Sequence, residues 1–307
     1  MDIETLIAKI EPPDEAAVQA ARRRQDRLTK PRGSLGHLED LSVRIAGITG
    51  QPRPHIRHKV ITVMAGDHGI AAEGVSAYPQ EVTAQMVLNF LSGGAAINVL
   101  ARHAGARVIV VDMGVSADLP QLPGLIDRKV ARGTQNIAAG PAMTAGQARQ
   151  ALESGAGVVL AELEKGLDIL ATGDMGIGNT TPSAAVAAAL IGCPAEDVTG
   201  RGTGVDEQGY RRKLSAVKRA LEINHPDPQN GLDVLEKVGG FEIGGLAGAI
   251  LAAAAHRKPI VVDGFISTAA AMLAASLAPQ AAAYLIAGHC SQEQGHRRMM
   301  DWLGLHP

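Results

Sequence analysis

Short runs of apolar residues, each ending in glycine, aspartate or histidine, recur through the middle and the end of the chain. Five of them are KVITVMAGDHG, RVIVVDMGV, LDILATGDMG, KPIVVDGF and AYLIAGH. Uninterrupted apolar runs are typical of strands that are buried on both faces of a parallel sheet. Helix-like stretches such as GGAAINVLARHAG and TPSAAVAAALIG lie between them. This alternation predicts a doubly wound α/β fold, with helices on both faces of a mostly parallel sheet.

The N-terminal part of the chain has a different pattern, which predicts helices. The string PPDE at residues 12–15 has the features of a helix start, and a second helix is predicted from Leu35 to Ile48. The segment QPRPHIRH at 51–58 contains two prolines and no apolar period. We therefore expect a linker there, and a domain boundary near residue 55.

Composition excludes several classes of protein. The 307 residues have a formal net charge of −2 and 2% aromatic residues, which argues against binding to nucleic acid. The basic cluster at 22–24 is expected to be a solvated helix face. The uncharged segment 266–287 is rich in alanine and interrupted by proline, so we expect a buried helix and a strand rather than a membrane span. Two cysteines and no signal-peptide pattern favour the cytoplasm.

Polar residues follow the predicted strands at the edge where the carboxyl ends of a parallel sheet meet. Ligands of open α/β sheets bind at this edge. The candidates for a functional site are therefore Asp67, His68, Asp112, Asp174, Asp263 and His289. A capping or turn-forming role remains open for each of them.

The string GDMGIGNTTP at 173–182 predicts a glycine hinge between a strand and a helix. Thr181 is predicted to cap the helix and Pro182 to be its first residue. The free N–H groups of such a helix start bind anions, and Gly176 and Gly178 would allow the backbone to approach one closely. The hinge therefore predicts a phosphate-binding site, with a simple tight turn as the alternative.

A dinucleotide-binding fingerprint is a weaker interpretation of the same hinge. The P-loop string GK[ST] is missing, and a threonine stands where the fingerprint has its third glycine. Glu196 and Asp197 lie at about the expected distance for a ribose-binding acid, but no predicted strand precedes them. A second glycine cluster, VTGRGTGVD at 198–206, is followed by a helix whose Lys213 is placed to meet a phosphate.

Several further strings occur in order: YPQEVTAQM, VGGFEIGGLAGAIL, VVDGFIS and LIAGHCSQEQG. With AGDHG and GDMGIGNTTP they closely resemble the nicotinate-nucleotide:dimethylbenzimidazole phosphoribosyltransferases. The resemblance implies transfer of phosphoribosyl from nicotinate mononucleotide to 5,6-dimethylbenzimidazole in cobalamin biosynthesis, without a metal or redox cofactor. It also implies a homodimer whose subunits combine a Rossmann-like domain, 56–290, with a small helical domain built from 1–55 and the segment starting at 291.

The resemblance also implies the roles of individual residues. Phosphate and ribose contacts fall on Gly176, Gly178, Asn179, Thr180, Thr181, Gly202, Lys213 and Ser291. The benzimidazole pocket draws on Tyr78, Gln85 and Met86. Asp174 is the candidate carboxylate that stabilises the positive charge developing on the sugar.

The attacking benzimidazole must lose its ring proton, which requires a general base. The family supplies this base from a glutamate in a GEG[ST]GA-type string that residues 1–307 do not contain. We expect residues 291–307 to begin a truncated C-terminal part of the small domain, with Ser291 as a helix cap and Gly304 at the helix end. An impaired paralogue or fragment that only binds mononucleotide remains an alternative, and a NAD-dependent Rossmann enzyme is a further one.

Overall fold

Three helices precede the sheet in the computed structural model, which describes residues 2–306. They are α1 (Ile3–Ile7), α2 (Glu15–Gln25) and α3 (His37–Thr49). The Asp14 carboxylate caps α2 by accepting a hydrogen bond from the N–H of Ala17 at 2.8 Å. Residues 51–58 form neither helix nor strand. The two predicted helices are confirmed, and α1 is an addition to them; the segment predicted as a linker has no regular secondary structure.

In the described part of the chain, six parallel strands form one sheet in the order β3-β2-β1-β4-β5-β6. Their bounds are β1 Lys59–Gly66, β2 Ala106–Gly114, β3 Leu125–Asp127, β4 Ile169–Met175, β5 Ile260–Val262 and β6 Leu285–Ala287. This order is that of the Rossmann type of doubly wound sheet, which confirms the predicted fold class. The five apolar runs form five of the strands. The sixth, β3, was missed because it has only three residues and none of them is buried.

Nine further helices among residues 2–306 surround the sheet. They are α4 Val82–Leu91, α5 Ala96–Ala104, α6 Ala145–Glu164, α7 Thr180–Ile191, α8 Glu207–Asn224, α9 Gly231–Val238, α10 Phe241–Ala255, α11 Gly264–Leu277 and α12 His296–Leu303. Short 3₁₀ turns lie at Gly69–Glu73, Ala195–Asp197 and Pro279–Tyr284. Alanine is the most frequent buried residue of α7, α10 and α11, so these helices lie close to their neighbours in the core.

The helices α6 and α10 approach each other through glycine. A Cβ atom on Gly155 would overlap the carbonyl group of Gly245, and one on Gly248 would overlap that of Leu152. The backbones of α6 and α10 are therefore in direct contact at these glycines, and α10 cannot shift without loss of packing contacts. This fixed helix presents its N-terminus, with Glu242 in its first turn, to the carboxyl ends of the strands.

Two apolar segments resemble membrane spans by composition. The segment 266–287 forms most of α11, a 3₁₀ turn and β6, which confirms the predicted buried helix and strand. The segment 82–104 is long and apolar enough to cross a membrane by length and composition alone. It consists of α4 and α5, of 10 and 9 residues, and of the connection between them at 92–95. A spanning helix needs about 20 residues, so neither helix is long enough by itself.

Candidate active site

The carboxyl ends of β1 and β4 meet at the point where the strand order reverses. The two strands pair in register up to Ala65 and Met175, and the chain continues from β1 to one side of the sheet and from β4 to the other. Ligands of open α/β sheets bind at such a switch point. A Cβ atom on Gly176 would overlap the carbonyl oxygen of Gly66, so glycine is needed for the two strand ends to lie this close.

The glycine hinge connects β4 to α7, but the predicted helix cap is wrong. The helix begins at Thr180, with Asn179 at the cap position, instead of at Pro182 after Thr181. Gly178 has a φ of 87° and turns the chain, and the N–H of Thr181 already donates to the carbonyl of Gly178 at 3.0 Å. The helix therefore starts before the threonine expected to cap it. The Oγ1 of Thr181 is buried without a partner among residues 2–306.

Lys213 of α8 reaches the start of α7. Its ammonium donates to the Oγ1 of Thr180 at 2.8 Å, and only 1% of the lysine is exposed. Burial lowers the pKa of Lys213 to about 8, and the negative charge of Glu293 opposes this effect in part. A Cβ atom on Gly202 would lie 3.0 Å from the ammonium, so glycine keeps the space beside it open.

The start of α7 also offers backbone donors. The N–H groups of Gly178 and Thr180 have no acceptor among residues 2–306. Free amides at a helix N-terminus and a neighbouring buried cation are the usual elements of a phosphate-binding site. The structure thus brings together Gly176, Gly178, Thr180, Gly202 and Lys213, five residues of the predicted phosphate set.

Asp174 lies at the end of β4, next to this corner. Its Oδ1 accepts a hydrogen bond from the side-chain amide of Asn179 at 2.8 Å. Burial, and then the charge of Glu242, raise the pKa of Asp174 to about 7, against the effect of the Asn179 hydrogen bond. A cation bound beside Asp174 would favour its ionised form. The side chain of Asn179 thus positions the carboxylate instead of capping the helix.

A buried ion pair lies behind Asp174. The Nε2 of His68, which follows β1, lies 2.7 Å from the Oε1 of Glu242, and the two side chains are 1% and 0% exposed. Burial alone would lower the pKa of His68, but the Glu242 carboxylate, together with smaller contributions from Asp67 and Asp174, raises it. A Cβ atom on Gly240 would overlap the imidazole ring, so the glycine before α10 makes room for the pair.

Two other polar strand ends form turns. The Asp112 carboxylate accepts hydrogen bonds from the N–H groups of Gly114 and Val115 and pairs with Lys129 at 3.0 Å. The Asp67 carboxylate accepts from a backbone N–H in the next loop at 2.8 Å. Both side chains thus fix the loops that follow β1 and β2. This is the turn-forming role that the sequence had left open for them.

Ser291 lies in the loop between β6 and α12, and its predicted capping role is wrong. The helix begins only at His296, whose Nδ1 accepts from the N–H of Ser291 at 2.8 Å. The Oγ of Ser291 accepts from the N–H of Glu293 at 3.2 Å, which closes a local turn. A Cβ atom on Gly200 would overlap the carboxylate of Glu293, so this loop packs on the second glycine cluster. The predicted helix end at Gly304 is confirmed.

The remaining strand-end candidates lie on the surface near this loop. The Nδ1 of His289 lies 3.1 Å from the Oδ1 of Asp263, and both side chains are at least half exposed. Among residues 2–306 no group of three or more histidine, cysteine, aspartate or glutamate side chains is arranged to hold a metal ion.

The residues predicted for the benzimidazole pocket lie on α4 and just before it. Tyr78 and Gln85 are exposed, and Met86 is half-buried. The helix is tied to the glycine hinge by Thr83, whose buried Oγ1 accepts from the N–H of Ile177 at 3.1 Å. These side chains are therefore held at one side of the crevice between β1 and β4.

The other sequence features lie away from this crevice. Glu196 and Asp197 lie in a 3₁₀ turn rather than after a strand, and they pair with Lys218 and Arg298. This geometry does not match a dinucleotide fingerprint. The basic cluster 22–24 is exposed at the end of α2, as expected of a solvated face. A cleft of about 620 Å³ between α2 and α3 contains none of the predicted site residues.

Sequence reasoning missed three buried groups that support the site. Glu242 is embedded in an apolar glycine-rich string, 174 residues from its partner His68. Thr83 lies within a helix, and His296 was hidden behind a wrongly predicted cap. Local patterns do not reveal the contacts of Glu242 and Thr83, because their partners are distant in the sequence.

Comparisons with known proteins agree with the geometry. A family model described as phosphoribosyltransferase matches residues 10–307. A nicotinate-nucleotide–dimethylbenzimidazole phosphoribosyltransferase of Roseiflexus sp. (strain RS-1) is 61% identical over 98% of this chain and 85% of its own length. That of Desulforudis audaxviator is 58% identical over the same shares. The crystal structure of CobT from Thermus thermophilus superimposes with a TM-score of 0.92 at 50% identity, covering 95% of this chain and 87% of that one. The chain belongs to the nicotinate-nucleotide–dimethylbenzimidazole phosphoribosyltransferase family.

Proposed function

We propose that this protein transfers the phosphoribosyl group of nicotinate mononucleotide to 5,6-dimethylbenzimidazole, with release of nicotinate. One observation carries the proposal: three groups of the kinds that this reaction needs lie around one crevice. They are the buried ammonium of Lys213, the start of α7 at Thr180, and the carboxylate of Asp174 on the adjoining strand. Relatives that bear this activity in their names are 58% and 61% identical over nearly the whole chain. This similarity favours an active enzyme over a paralogue that only binds mononucleotide.

The phosphate of the mononucleotide would bind at the start of α7. It would accept hydrogen bonds from the N–H groups of Gly178 and Thr180 and from the ammonium of Lys213. Gly202 leaves space beside that ammonium, and Ser291 would approach from the loop before α12. A phosphate dianion would also compensate for the burial of Lys213, whose pKa is depressed to about 8 in its absence.

The ribose and nicotinate would lie toward Asp174. The nicotinate ring nitrogen of the mononucleotide is a pyridinium, so nicotinate leaves with the electron pair of the C–N bond and needs no proton donor. The sugar carbon then develops positive charge, which the Asp174 carboxylate would stabilise. Because the pKa of Asp174 is about 7, its ionised fraction increases through neutral pH.

The benzimidazole would attack the opposite face of the sugar and so give the α-linked product. Tyr78, Gln85 and Met86 are the proposed contacts of its apolar ring, on the α4 side of the crevice. The ring proton passes to a base, and the glutamate that serves in the family is not among residues 1–307. General-base catalysis increases a reaction rate about 10²–10⁴-fold. The assay should therefore also detect product that forms more slowly by this factor.

A homodimer in the cytoplasm is part of the proposal. Leu88 of α4 and Val99 and Leu100 of α5 are 45%, 53% and 67% exposed. Large apolar side chains left exposed on two consecutive helices are consistent with a surface that another protein covers. We also retain the division into a Rossmann-like domain, 56–290, and a small helical domain formed by both chain ends. The pairing of α2 with α3 supports this division, whereas α1 packs against α6 and α10.

The experiment is a direct assay of the reaction. The protein is incubated with nicotinate mononucleotide and dimethylbenzimidazole, and nicotinate and α-ribazole 5′-phosphate are separated by chromatography. We expect both products in equal amounts, with formation that depends on both substrates. Saturable mononucleotide binding without product would establish the binding-only alternative. Binding of NAD without binding of mononucleotide would refute the proposal and favour a dehydrogenase.

A further inference from the structure

His296, the first residue of α12, is buried between that helix, α11 and the loop that carries Ser291. Only 1% of the residue is exposed. Its Nδ1 accepts a hydrogen bond from the backbone N–H of Ser291 at 2.8 Å, and its Nε2 lies 2.8 Å from the Oγ1 of Thr268. Both ring nitrogens are therefore engaged, one by the loop and one by the helix beneath it.

These two contacts determine the protonation state of the ring. A backbone N–H can only donate, so the Nδ1 of His296 must carry a lone pair. The hydroxyl of Thr268 donates to the carbonyl of Gly264 at 2.6 Å, so its oxygen is free to accept from Nε2. The neutral ring with its hydrogen on Nε2 satisfies both contacts. A second proton on Nδ1 would face the N–H of Ser291, donor against donor.

We propose that His296 is a positioning residue for the mononucleotide phosphate: its neutral ring holds the Ser291 loop against the phosphate corner, and protonation of Nδ1 releases that loop. The inference rests on the proposed function, because Ser291 is one of the proposed phosphate contacts. The loop has few other contacts with the rest of the protein. The side-chain amide of Gln294 donates to the carbonyl of Glu196 at 2.8 Å, and the N–H of Gly288 donates to the carbonyl of Val262 at 2.9 Å. The Nδ1 of His289 lies 3.1 Å from Asp263 on the surface.

The surroundings of the ring, burial above all, favour its neutral form. Burial lowers the pKa of His296 and the neighbouring His289 lowers it further, while the Gly264 carbonyl and Asp263 oppose them. Helices α7 and α11 pack against α12, and neither of them has an ionisable side chain. The remaining charged groups on the loop and on α12 are Glu293, Arg297, Arg298 and Asp301, and the loop also carries the thiol of Cys290.

The test is the pH dependence of nicotinate mononucleotide binding, measured by calorimetry between pH 7.5 and 5. His296→Asn keeps an acceptor near the position of Nδ1 but cannot be protonated, whereas His296→Phe has no acceptor. The substrate phosphate titrates in the same range, so wild type and variants are compared at each pH. His256→Asn is the control. His256 is also a partly buried histidine with a lowered pKa, but it lies at the C-terminal end of α10, opposite the end that faces the site.

We expect His296→Phe to bind roughly three- to tenfold more weakly than wild type at pH 7.5, the effect of one lost hydrogen bond. His296→Asn should bind within about threefold of wild type at pH 7.5 and lose less affinity than wild type on acidification. The control should follow the wild-type profile. An unchanged profile for His296→Asn would overturn the inference while leaving the proposed function intact. Absence of wild-type binding at pH 7.5 would overturn both.

A second measurement does not depend on the folding of any variant. The ¹⁵N chemical shifts of the histidine rings of the wild-type protein report which nitrogen carries the hydrogen. Each ring signal is assigned to its residue through the backbone, because the pKa of His256 is lowered as well. We expect the His296 ring to keep an unprotonated Nδ1 and a protonated Nε2 well below pH 6.5, the ordinary pKa of histidine. A hydrogen on the Nδ1 of His296 at or above that pH would contradict the assigned protonation state, whatever the variants show.

Discussion

Replacement of Lys213 by methionine should make the protein more stable and, at the same time, a weaker binder of nicotinate mononucleotide. Burial lowers the pKa of Lys213 from 10.5 to about 8. This difference corresponds to about 3 kcal/mol by which the fold disfavours the charged lysine. Methionine has a similar apolar stem and no charge, but it gives up the hydrogen bond to Thr180, which is worth about 1 kcal/mol. We therefore expect a net gain of about 2 kcal/mol in the free energy of unfolding at pH 7.

The pH dependence of this gain is the sharper test. Because the pKa of Lys213 is depressed in the folded state, wild type regains stability as the pH rises from about 8 toward 10.5. Urea denaturation of both proteins should show the largest difference at pH 7 and almost none at pH 10. Lys218→Met is the matched control on the same helix, since the side chain of Lys218 is 51% exposed. It should change stability by less than about 0.5 kcal/mol.

Binding should move in the opposite direction. Loss of a charge-assisted hydrogen bond to phosphate costs about 1.5–3 kcal/mol, so Lys213→Met should raise the Kd for nicotinate mononucleotide about 10- to 100-fold. The ligand should then stabilise wild type more than the variant. A variant that is no more stable at pH 7 and that binds with wild-type affinity would refute the assignment of Lys213 to the phosphate site.

Three further predictions concern the same crevice. Gly202→Ala and Gly192→Ala, at φ of 57° and 71°, should each destabilise the fold by about 1 kcal/mol. Only the former should weaken mononucleotide binding, because its methyl group meets the Lys213 ammonium whereas Gly192 faces open space; equal affinities in calorimetry would contradict this. Asp174→Asn should lower kcat at least about tenfold with little change in Kd. In wild type kcat/KM should rise with pH through about 7, the pKa of Asp174; a flat profile would argue against a role for the carboxylate. Thr83→Val should cost about 1–3 kcal/mol in urea denaturation by leaving the N–H of Ile177 unpaired, and Thr83→Ser much less.

The fold was largely predictable from the sequence because strands buried on both faces produce long apolar runs with polar ends. The strand β3 produces no such run, because none of its three residues is buried and the last of them is an aspartate. The strands β5 and β6 are equally short, but each lies within a longer apolar run. The position of the site was predictable for a related reason. A parallel sheet gathers the carboxyl ends of its strands, so Asp174 and the glycine hinge were expected at the same edge.

The predictions that failed concern helix starts. Thr181 and Ser291 have good capping side chains, but tertiary contacts decided where α7 and α12 begin. Asn179 takes the cap position with its side chain turned to Asp174, and the backbone of Ser291 is held by His296. The burial of Lys213 could not be anticipated either, because its helix pattern places it among exposed cations and only packing on α7 removes it from solvent.

The most direct test of the central claim is a crystal structure of this protein with nicotinate mononucleotide bound. Our account predicts the phosphate against the first turn of α7, within hydrogen-bond distance of the Lys213 ammonium and the N–H groups of Gly178 and Thr180. It also predicts the ribose near Asp174. A well-ordered mononucleotide that lies elsewhere, with the Lys213 ammonium still bonded only to Thr180, would contradict it.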